Sequence, residues 1–433
     1  MKRFILLWIG EMISNIGSGM TAFALSLYIY NFTGKVSDIA LLSLISFLPA
    51  ILINPIGGIL ADRHDRRVLM IMGDVLSGLC LLYILYIIKT SVNMSDTIVP
   101  IFIAIGVSSI FLGILEPAYK STVTELISSD NYDKASGLLQ LAASSKLLIS
   151  PALAGIILAK SNIDLILIID ISTVLFTIII LAIIRNSLKN DENIIEEDID
   201  KTTTEKNIIK ELRDGLQIIR GNKGVSNLVF LMFLACFLMA FIQVLVRPMI
   251  LNIANEKMLG IAESICAFGI LVGSGFIGIR GIKLSYARSL GIAGIISGVF
   301  ISLAGLSSSL TFIVIFIFVF FITLPFINAS ADALVRNSIP NSLQGRAWGI
   351  IGFLTQIGIV AAFLISGPLV DNVFEPMMRE GGILSDTFLK VLGLGPGRGI
   401  GLLLIIVGIL FSIVFAFTLY NKNINQMEEK DGI

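Results

Sequence analysis

The sequence contains few charged residues. Only 14% of its 433 residues are Asp, Glu, Lys or Arg, whereas a soluble domain carries about 25% charged residues. Because 55% of the residues are hydrophobic, the chain has too few polar side chains to cover its surface in water, and a water-soluble fold is excluded. The formal net charge is zero, which argues against a nucleic-acid partner.

Histidine, cysteine and the common catalytic motifs are scarce or absent. His64 is the single histidine, which excludes a histidine metal cluster. Cys80, Cys236 and Cys266 fall inside apolar stretches without metal or redox spacing, so we interpret them as small core residues. The sequence has no Gly-x-Ser-x-Gly motif, no Walker phosphate loop and no His–Asp or Cys–His set. We therefore expect neither an enzyme nor a self-contained ATP-driven pump, and no cofactor.

Twelve long apolar stretches fill most of the chain. A transmembrane helix needs about 20 apolar residues, whereas a barrel strand is about 10 residues long and alternates. The stretches therefore predict an all-α membrane protein with twelve transmembrane helices. The first stretch is longer than a signal peptide's apolar core and has no cleavage site after it, so we expect it to be retained. The predicted spans are 4–32, 38–61, 68–89, 97–119, 135–160, 165–185, 224–250, 259–279, 287–306, 310–335, 347–370 and 398–420.

The distribution of cations predicts the topology. If the N-terminus is inside, the inner segments hold 22 of the 31 lysines and arginines and the outer segments hold seven. Lys146 and Arg247 remain within spans. Because cytoplasmic loops carry an excess of lysine and arginine, both termini are predicted to face the cytoplasm.

One long polar segment divides the spans into two sets of six. The predicted domains are an N-terminal bundle, a cytoplasmic linker, a C-terminal bundle and a cytoplasmic tail, over residues 1–185, 186–223, 224–420 and 421–433. Residues 206–223 of the linker place isoleucines and leucines on one helical face, which predicts an amphipathic helix at the inner membrane surface. A plain solvated linker is the alternative. Residues 134–139 resemble 346–351 at matching places in the two halves, as in a parallel repeat.

The segment GGILADRHDRR, residues 57–67, follows the second span. Its two glycines, Gly57 and Gly58, are predicted to let the second helix pack closely against a neighbour. A carboxylate at the end of that helix faces several guanidinium groups, which predicts a charge cluster able to hold one packing of the helices and release another. The alternative is that the arginines only enforce topology. The charged residues of this gate motif are Asp62, Arg63, Asp65, Arg66 and Arg67.

This motif resembles the signature between helices two and three of the major facilitator superfamily, with Asp65 in place of the usual glycine. The Asp-Arg-x-Asp-Arg-Arg form resembles the branch that contains macrolide-efflux proteins and related drug:proton antiporters. Segments 8–35, 115–139, 336–350 and 392–408 also resemble that branch. The resemblance implies two six-helix bundles in a bacterial cell membrane, and a monomer that exports a small-molecule substrate of amphipathic character, with protons as the coupling ion.

The fifth span departs from the pattern of related antiporters, which carry G-x8-G-x3-G-P-x2-G-G. Here Pro151 and Gly155 are retained, but Lys146 occupies a glycine position near the middle of the membrane. Tight helix packing is therefore not expected there, and a charged site is expected in its place. The corresponding residues are Gly137, Lys146, Ser150, Pro151, Ala154 and Gly155.

Charged residues within spans mark candidate sites, because an ionised side chain at the bilayer centre costs at least ~2.5–3.5 kcal/mol. Lys146 is the deepest, and Glu11 shares a helix face with Asn15 and Ser18. We hypothesise that Glu11 and Lys146 line a cavity and that Glu11 changes protonation during transport. A buried structural ion pair is the alternative. Further pathway candidates, nearer the outer ends of spans, are Asp170, Arg247 and Glu263.

The remaining charges and the function leave several interpretations. Asp74, Glu116 and Asp332 lie nearer the inner ends of their spans, where a structural or topological role is expected because such side chains can reach the interface.

Three interpretations of the function remain. The first is a multidrug or macrolide-type exporter, and the second is an exporter of a specific metabolite such as a siderophore or a lipid-like molecule. The third is a membrane sensor that transports nothing.

Overall fold

The computed structural model describes residues 2–91, 93, 95–127, 132–192, 217, 219–379, 381–382, 384 and 397–429. The regular elements of these residues are helices. Twelve helical segments of the described chain are long and apolar enough to cross a membrane, which confirms the predicted all-α fold. The cytoplasmic placement of both termini stays a prediction.

Most of the helices extend beyond the apolar stretches that predicted them, because hydropathy marks the hydrocarbon layer whereas backbone hydrogen bonding continues beyond it. They are α1 (Lys2–Thr33), α2 (Val36–Arg63), α3 (Arg66–Thr90), α4 (Ser95–Leu126), α5 (Tyr132–Leu148), α6 (Ser150–Leu158), α7 (Ile163–Glu192), α8 (Lys223–Leu251), α9 (Glu256–Arg280), α10 (Tyr286–Leu306), α11 (Leu310–Ser338), α12 (Asn341–Leu369), a π-helical turn (Val370–Phe374), α13 (Glu375–Met378), α14 (Arg398–Tyr420) and α15 (Lys422–Glu429).

The fifth span is divided into α5 and α6 at Ile149. Pro151 stands in the first turn of α6, and because proline has no backbone N–H, it removes one hydrogen bond of a continuous helix. The adjacent Ser150 hydroxyl donates to the carbonyl of Ile16 on α1, at 2.9 Å. The break is therefore tied to the first span.

The first of two compact units consists of Met1–Lys201 and Asn255–Ser264. In this unit α4 packs on α2 and α3, and α1 packs on α5, α6 and α7. A core of buried apolar residues lies where α1, α3, α4 and α7 meet, and it includes Phe4, Leu7, Met70, Tyr119, Val123 and Leu181. This core encloses one end of the charged site described below.

Glycines bring α2 and α4 together. A methyl group at Gly57 would lie 2.5 Å from the carbonyl oxygen of Gly113, and one at Gly113 would lie 2.6 Å from the carbonyl oxygen of Ala50. Close packing at Gly57 is therefore as predicted. The same prediction was wrong for Gly58, because a methyl group there would meet nothing within 4 Å. Gly58 lies on the side of α2 that faces away from α4.

Tight packing occurs in the fifth span at Gly155, one of the glycines that the sequence pattern retains. A methyl group at Gly155 would lie 2.7 Å from the carbonyl oxygen of Glu256, within the same compact unit. The Ala152 N–H donates to the hydroxyl of Ser264 at 3.1 Å. Lys146 lies on the other side of the helix break, so its charge does not prevent the close approach at Gly155.

The second compact unit consists of Thr202–Ala254 and Ile265–Ile433. Here α10 packs on α11 and α14, and α8 packs on α12. Glycines line the face of α10 that meets α14, since a methyl group at Gly298 would lie 2.6 Å from the Ser412 nitrogen. The short helix α15 packs against α8 and buries Ile424 and Met427.

The predicted linker lies mostly outside the described residues. Helix α7 continues to Glu192, and of the amphipathic helix predicted over 206–223, only residues 217 and 219–223 are described. At this end Ile219 is buried, and the Asn222 side chain caps α8 by accepting hydrogen bonds from the Gly224 and Val225 N–H groups. The boundary between bundles at 186–223 stays a prediction.

Candidate functional site

Charged residues at the start of α3 meet the ends of α4 and α7. Asp65 precedes α3 and accepts a hydrogen bond from the Arg67 N–H at 3.0 Å. Its second carboxylate oxygen accepts from Nε of Arg185 on α7, also at 3.0 Å. The Arg67 side chain is buried, and its guanidinium forms an ion pair with Glu125 near the end of α4. We call Asp65, Arg67, Glu125 and Arg185 the α3 latch.

The other residues of the gate motif surround this latch. Arg66 donates to the carbonyls of Ala61 and Ser121, at 3.3 and 3.4 Å, and so connects the end of α2 with α4. Arg63 is exposed. Asp62 lies in the last turn of α2, but its side chain falls outside what the structure describes, so its part in the latch stays a prediction. Glu125 was not among the predicted residues, because it lies 58 residues from its partner along the chain.

The electrostatics of the latch favour an ionised Asp65. Partial burial raises the pKa of the Asp65 carboxyl, but other effects outweigh it. Hydrogen bonds from Arg185 and from the Arg67 N–H, together with the positive charges of both guanidinium groups, hold the pKa of Asp65 below its ordinary value. Asp65 is therefore ionised at neutral pH.

Two glycines of α1 open its surface toward α5, α6 and α7. A methyl group at Gly17 would lie 2.8 Å from Oδ1 of Asp170 on α7, and one at Gly19 would lie 2.9 Å from Cγ of Lys146 on α5. We call Gly17 and Gly19 the α1 notch. Because residues two apart on a helix do not face the same side, the notch admits an acid on one side of α1 and a base on the other.

Glu11, Lys146 and Asp170 form a group of charges around this notch, which we call the interior triad. Lys146 interacts electrostatically with both Asp170 and Glu11. Glu11 accepts a hydrogen bond from the Asn15 amide at 3.1 Å. Asp170 accepts one from the Thr173 hydroxyl at 3.4 Å. The structure thus brings together four of the predicted pathway residues.

Exposure differs among the three charges of the triad. The Lys146 side chain is exposed and Glu11 is half-buried, whereas Asp170 is only 2% exposed. Asp170 is therefore the most enclosed of the three groups.

Two buried polar residues beyond Glu11 were not predicted as site residues. Asp74 on α3 and Tyr119 on α4 are each 8% exposed, and both interact electrostatically with Glu11. Asp74 was expected nearer the inner end of its span with a structural or topological role, and its burial was not predicted. Its position about two turns after Arg67, on the same face of α3, is the signal that could have indicated this.

The remaining predicted pathway residues lie elsewhere. Arg247 is half-buried on α8, in the second unit, and Glu263 is half-buried in the first turns of α9. Glu116, on α4, is exposed and accepts hydrogen bonds from Lys120 at 2.7 Å and from the Asn54 amide at 3.3 Å. The structural or topological role expected for Glu116 stays a prediction.

Comparison with known proteins agrees with these features. The sequence profile of the Major Facilitator Superfamily matches residues 7–362. Macrolide efflux protein A of Streptococcus pyogenes is 24% identical over 378 residues, which cover 86% of this chain and 90% of that protein. A protein of the same name from Enterococcus faecalis is 23% identical over 325 residues, covering 73% and 96%. The uncharacterized MFS-type transporter YfiS of Bacillus subtilis is 23% identical over 398 residues, covering 85% and 91%.

Solved transporter structures share the fold. A bacterial homologue of the human lysosomal transporter Spinster, inward-facing and unoccupied, superposes with a TM-score of 0.71 at 12% identity over 98% of both chains. The nucleoside transporter NupG superposes with a TM-score of 0.68 at 14% identity over 98% of this chain and 100% of that one. Identities this low show the fold alone. The profile match spans well over half of the sequence, and with the twelve spanning helices it shows that the chain belongs to the Major Facilitator Superfamily, as a small-molecule transporter, not an enzyme, that crosses the bacterial cell membrane many times.

Proposed function

We propose that this transporter exports a small amphipathic molecule of the macrolide type by alternating access, in exchange for protons. The similarity to two macrolide efflux proteins over most of the chain supports the direction of transport and the substrate class. The proposed proton coupling rests on one observation, the interior triad, in which a single lysine interacts electrostatically with two carboxylates.

The charge balance of the triad favours proton exchange. One ammonium group neutralises one carboxylate, and a second unpaired carboxylate within a membrane bundle is costly. A proton bound by one of the two acids removes that cost. Asp170 is enclosed, whereas Glu11 is half-buried beside the exposed Lys146. Glu11 is therefore the less enclosed of the two carboxyl groups, and the one we assign to proton uptake and release.

The membrane potential supplies enough energy for such an exchange. One charge that moves through 100 mV contributes about 2.3 kcal/mol, which supports roughly a fifty-fold substrate gradient. A single proton site per cycle therefore suffices for useful export. Protonation of Glu11 would also release Lys146 to pair with Asp170 alone, which changes the charge balance within the triad.

The α3 latch has a separate role in this proposal. It joins α3 to α4 and α7 through ion pairs that are partly exposed. Such pairs separate and reform at modest cost. We assign to the latch the stabilisation of one conformation of the transport cycle.

Flux measurements test the proposal. Proteoliposomes that contain the purified protein and are acidified inside should accumulate labelled erythromycin. A protonophore should abolish the accumulation. Movement of siderophores or lipid-like molecules without macrolide movement would instead indicate a specific metabolite exporter. Absence of flux for a full substrate panel, by a protein that still folds, would indicate a sensor.

A double variant separates a working triad from a structural ion pair. If Glu11 and Lys146 were only a buried structural ion pair, removal of either partner would strand a charge at a cost of about 3–5 kcal/mol, and the double variant Glu11→Gln with Lys146→Met would restore both folding and transport. A working triad predicts a different result. The double variant should fold and bind substrate, yet lose pH-driven accumulation. Full activity of the double variant would contradict a proton role for Glu11 and shift it to Asp170 or Glu263.

A further inference from the structure

Asp74 is a buried carboxyl group that forms no ion pair with a lysine or arginine among the described residues. It is 8% exposed, and within the described part of the chain it forms neither an ion pair nor a hydrogen bond. Its electrostatic interaction is with Glu11, a group of the same sign. An ionised carboxylate with no partner in apolar surroundings is costly, so this position favours the neutral acid, which holds a proton.

The other charged groups near Asp74 are already engaged. Arg67, earlier on the same helix, is paired with Glu125 and Asp65. On α4, Glu116 is exposed and paired with Lys120. On α5, Lys146 lies in the field of Glu11 and Asp170.

Tyr119 provides a second and independent observation. Its hydroxyl is buried and has no hydrogen-bond partner among the described residues, although it is a group that both donates and accepts. The hydroxyl interacts electrostatically with Glu11. A buried polar group of this kind calls for a ligand such as a water molecule or a protonated carboxyl group.

The packing of α3 on α4 brings the segment that holds Tyr119 against the segment that directly precedes Asp74. The Thr122 hydroxyl donates to the sulfur of Met70 at 3.7 Å, and a methyl group at Gly73 would lie 3.3 Å from Cβ of Leu115. Tyr119 lies between Leu115 and Thr122 on α4, and Asp74 directly follows Gly73 on α3.

We propose that Asp74 is a second proton-binding site, which exchanges its proton with Glu11 beside the Tyr119 hydroxyl. In the exchange, the O–H bond of the Glu11 carboxyl breaks and an O–H bond forms at the Asp74 carboxylate, and nothing is oxidised or reduced. The use of this step in transport rests on the proposed proton-coupled export. Below Asp74 the apolar core around Met70 and Val123 separates the site from the latch, so protons cross that layer only when the helices rearrange.

Infrared difference spectroscopy of the purified protein in lipid vesicles detects the site directly. A pH step should reveal carboxylic C=O bands from Asp74 and Glu11. Asp74→Asn, which resembles the protonated acid in shape and charge, should remove one band and shift the pH at which the other titrates, because interacting acids titrate as a pair. Asp332→Asn is the matched control, because Asp332 lies on α11 in the second compact unit, and it should leave both bands unchanged. An unchanged spectrum in Asp74→Asn would overturn the proposal.

Two further measurements complete the test. Tyr119→Phe removes only a hydroxyl, so it should fold and should shift a carboxylic band, and an unshifted band would remove Tyr119 from the site. Proton-driven accumulation by Asp74→Asn should fall by at least about tenfold, as is usual when a positioned acid–base group is lost. If the band disappears but wild-type transport needs no protons, the proposed function fails and the site stands. If wild-type transport is proton-driven and Asp74→Asn transports normally, the site fails alone.

Discussion

Asp65 and Arg185 are joined by a 3.0 Å hydrogen bond across 120 residues of sequence. The bond ties the residue that caps α3 to α7, and the side chains of the pair are 32% and 34% exposed. Surface ion pairs of this kind contribute about 0–1 kcal/mol to stability. The pair therefore matters more for the relative position of two helix ends than for the free energy of unfolding.

Loss of the Arg185 charge should impair transport more than folding. In Arg185→Gln we expect a change in unfolding free energy of at most about 1 kcal/mol, with transport reduced several-fold. Arg63→Gln is the control, because Arg63 is exposed and should tolerate the change. Thermal unfolding and erythromycin flux measure the two effects. Wild-type flux in Arg185→Gln would indicate that the positive charge of Arg185 affects membrane topology alone.

The latch should not contribute to the pH dependence of transport near neutrality. The pKa of Asp65 is lowered in the folded protein, so its contribution to stability is complete above the unfolded value of about 3.9. That contribution is lost only as the pH falls through the lowered folded pKa. Asp65→Asn should therefore reduce flux by the same factor across the range from weakly acid to weakly alkaline pH. A change in the shape of the pH profile would contradict this.

The α1 notch should be intolerant of a single methyl group. In Gly17→Ala the added carbon would lie 2.8 Å from Oδ1 of Asp170, so α7 or its carboxylate must move, at a cost typical of overpacking, about 1–3 kcal/mol. Gly58→Ala is the matched control, since nothing lies within 4 Å of the added carbon. The thermal unfolding temperature should fall in Gly17→Ala and not in Gly58→Ala. Equal stability of both would show that the notch is not tightly packed in the membrane.

The predicted topology can be tested by labelling. In a variant whose three native cysteines are replaced by alanine, a cysteine introduced at Thr203 should react with an impermeant maleimide in inverted vesicles and not in intact cells. The cation bias gives the physical reason, because lysine and arginine are retained on the cytoplasmic side. Labelling of intact cells would place the 186–223 segment outside and contradict the prediction.

Several features of this protein follow from the sequence alone. The twelve spans are local properties, since an isolated stretch in lipid must satisfy its own backbone hydrogen bonds and so forms a helix wherever about 20 apolar residues occur. The motif at residues 57–67 and the deep positions of Glu11 and Lys146 are likewise visible in the sequence. These features were enough to predict the fold class, the family and part of the candidate site.

The tertiary structure decided which charged residues meet. Helices that are apolar on every side carry no periodic signal for the face that points inward, so the burial of Asp74 depends on how α3 packs against α4. Gly17 and Gly19 admit Asp170 and Lys146 to opposite sides of α1 because neither has a side chain. Ion pairs between distant segments, such as Arg67 with Glu125, arise from helix packing, because residues far apart in the sequence come into contact only when the helices pack.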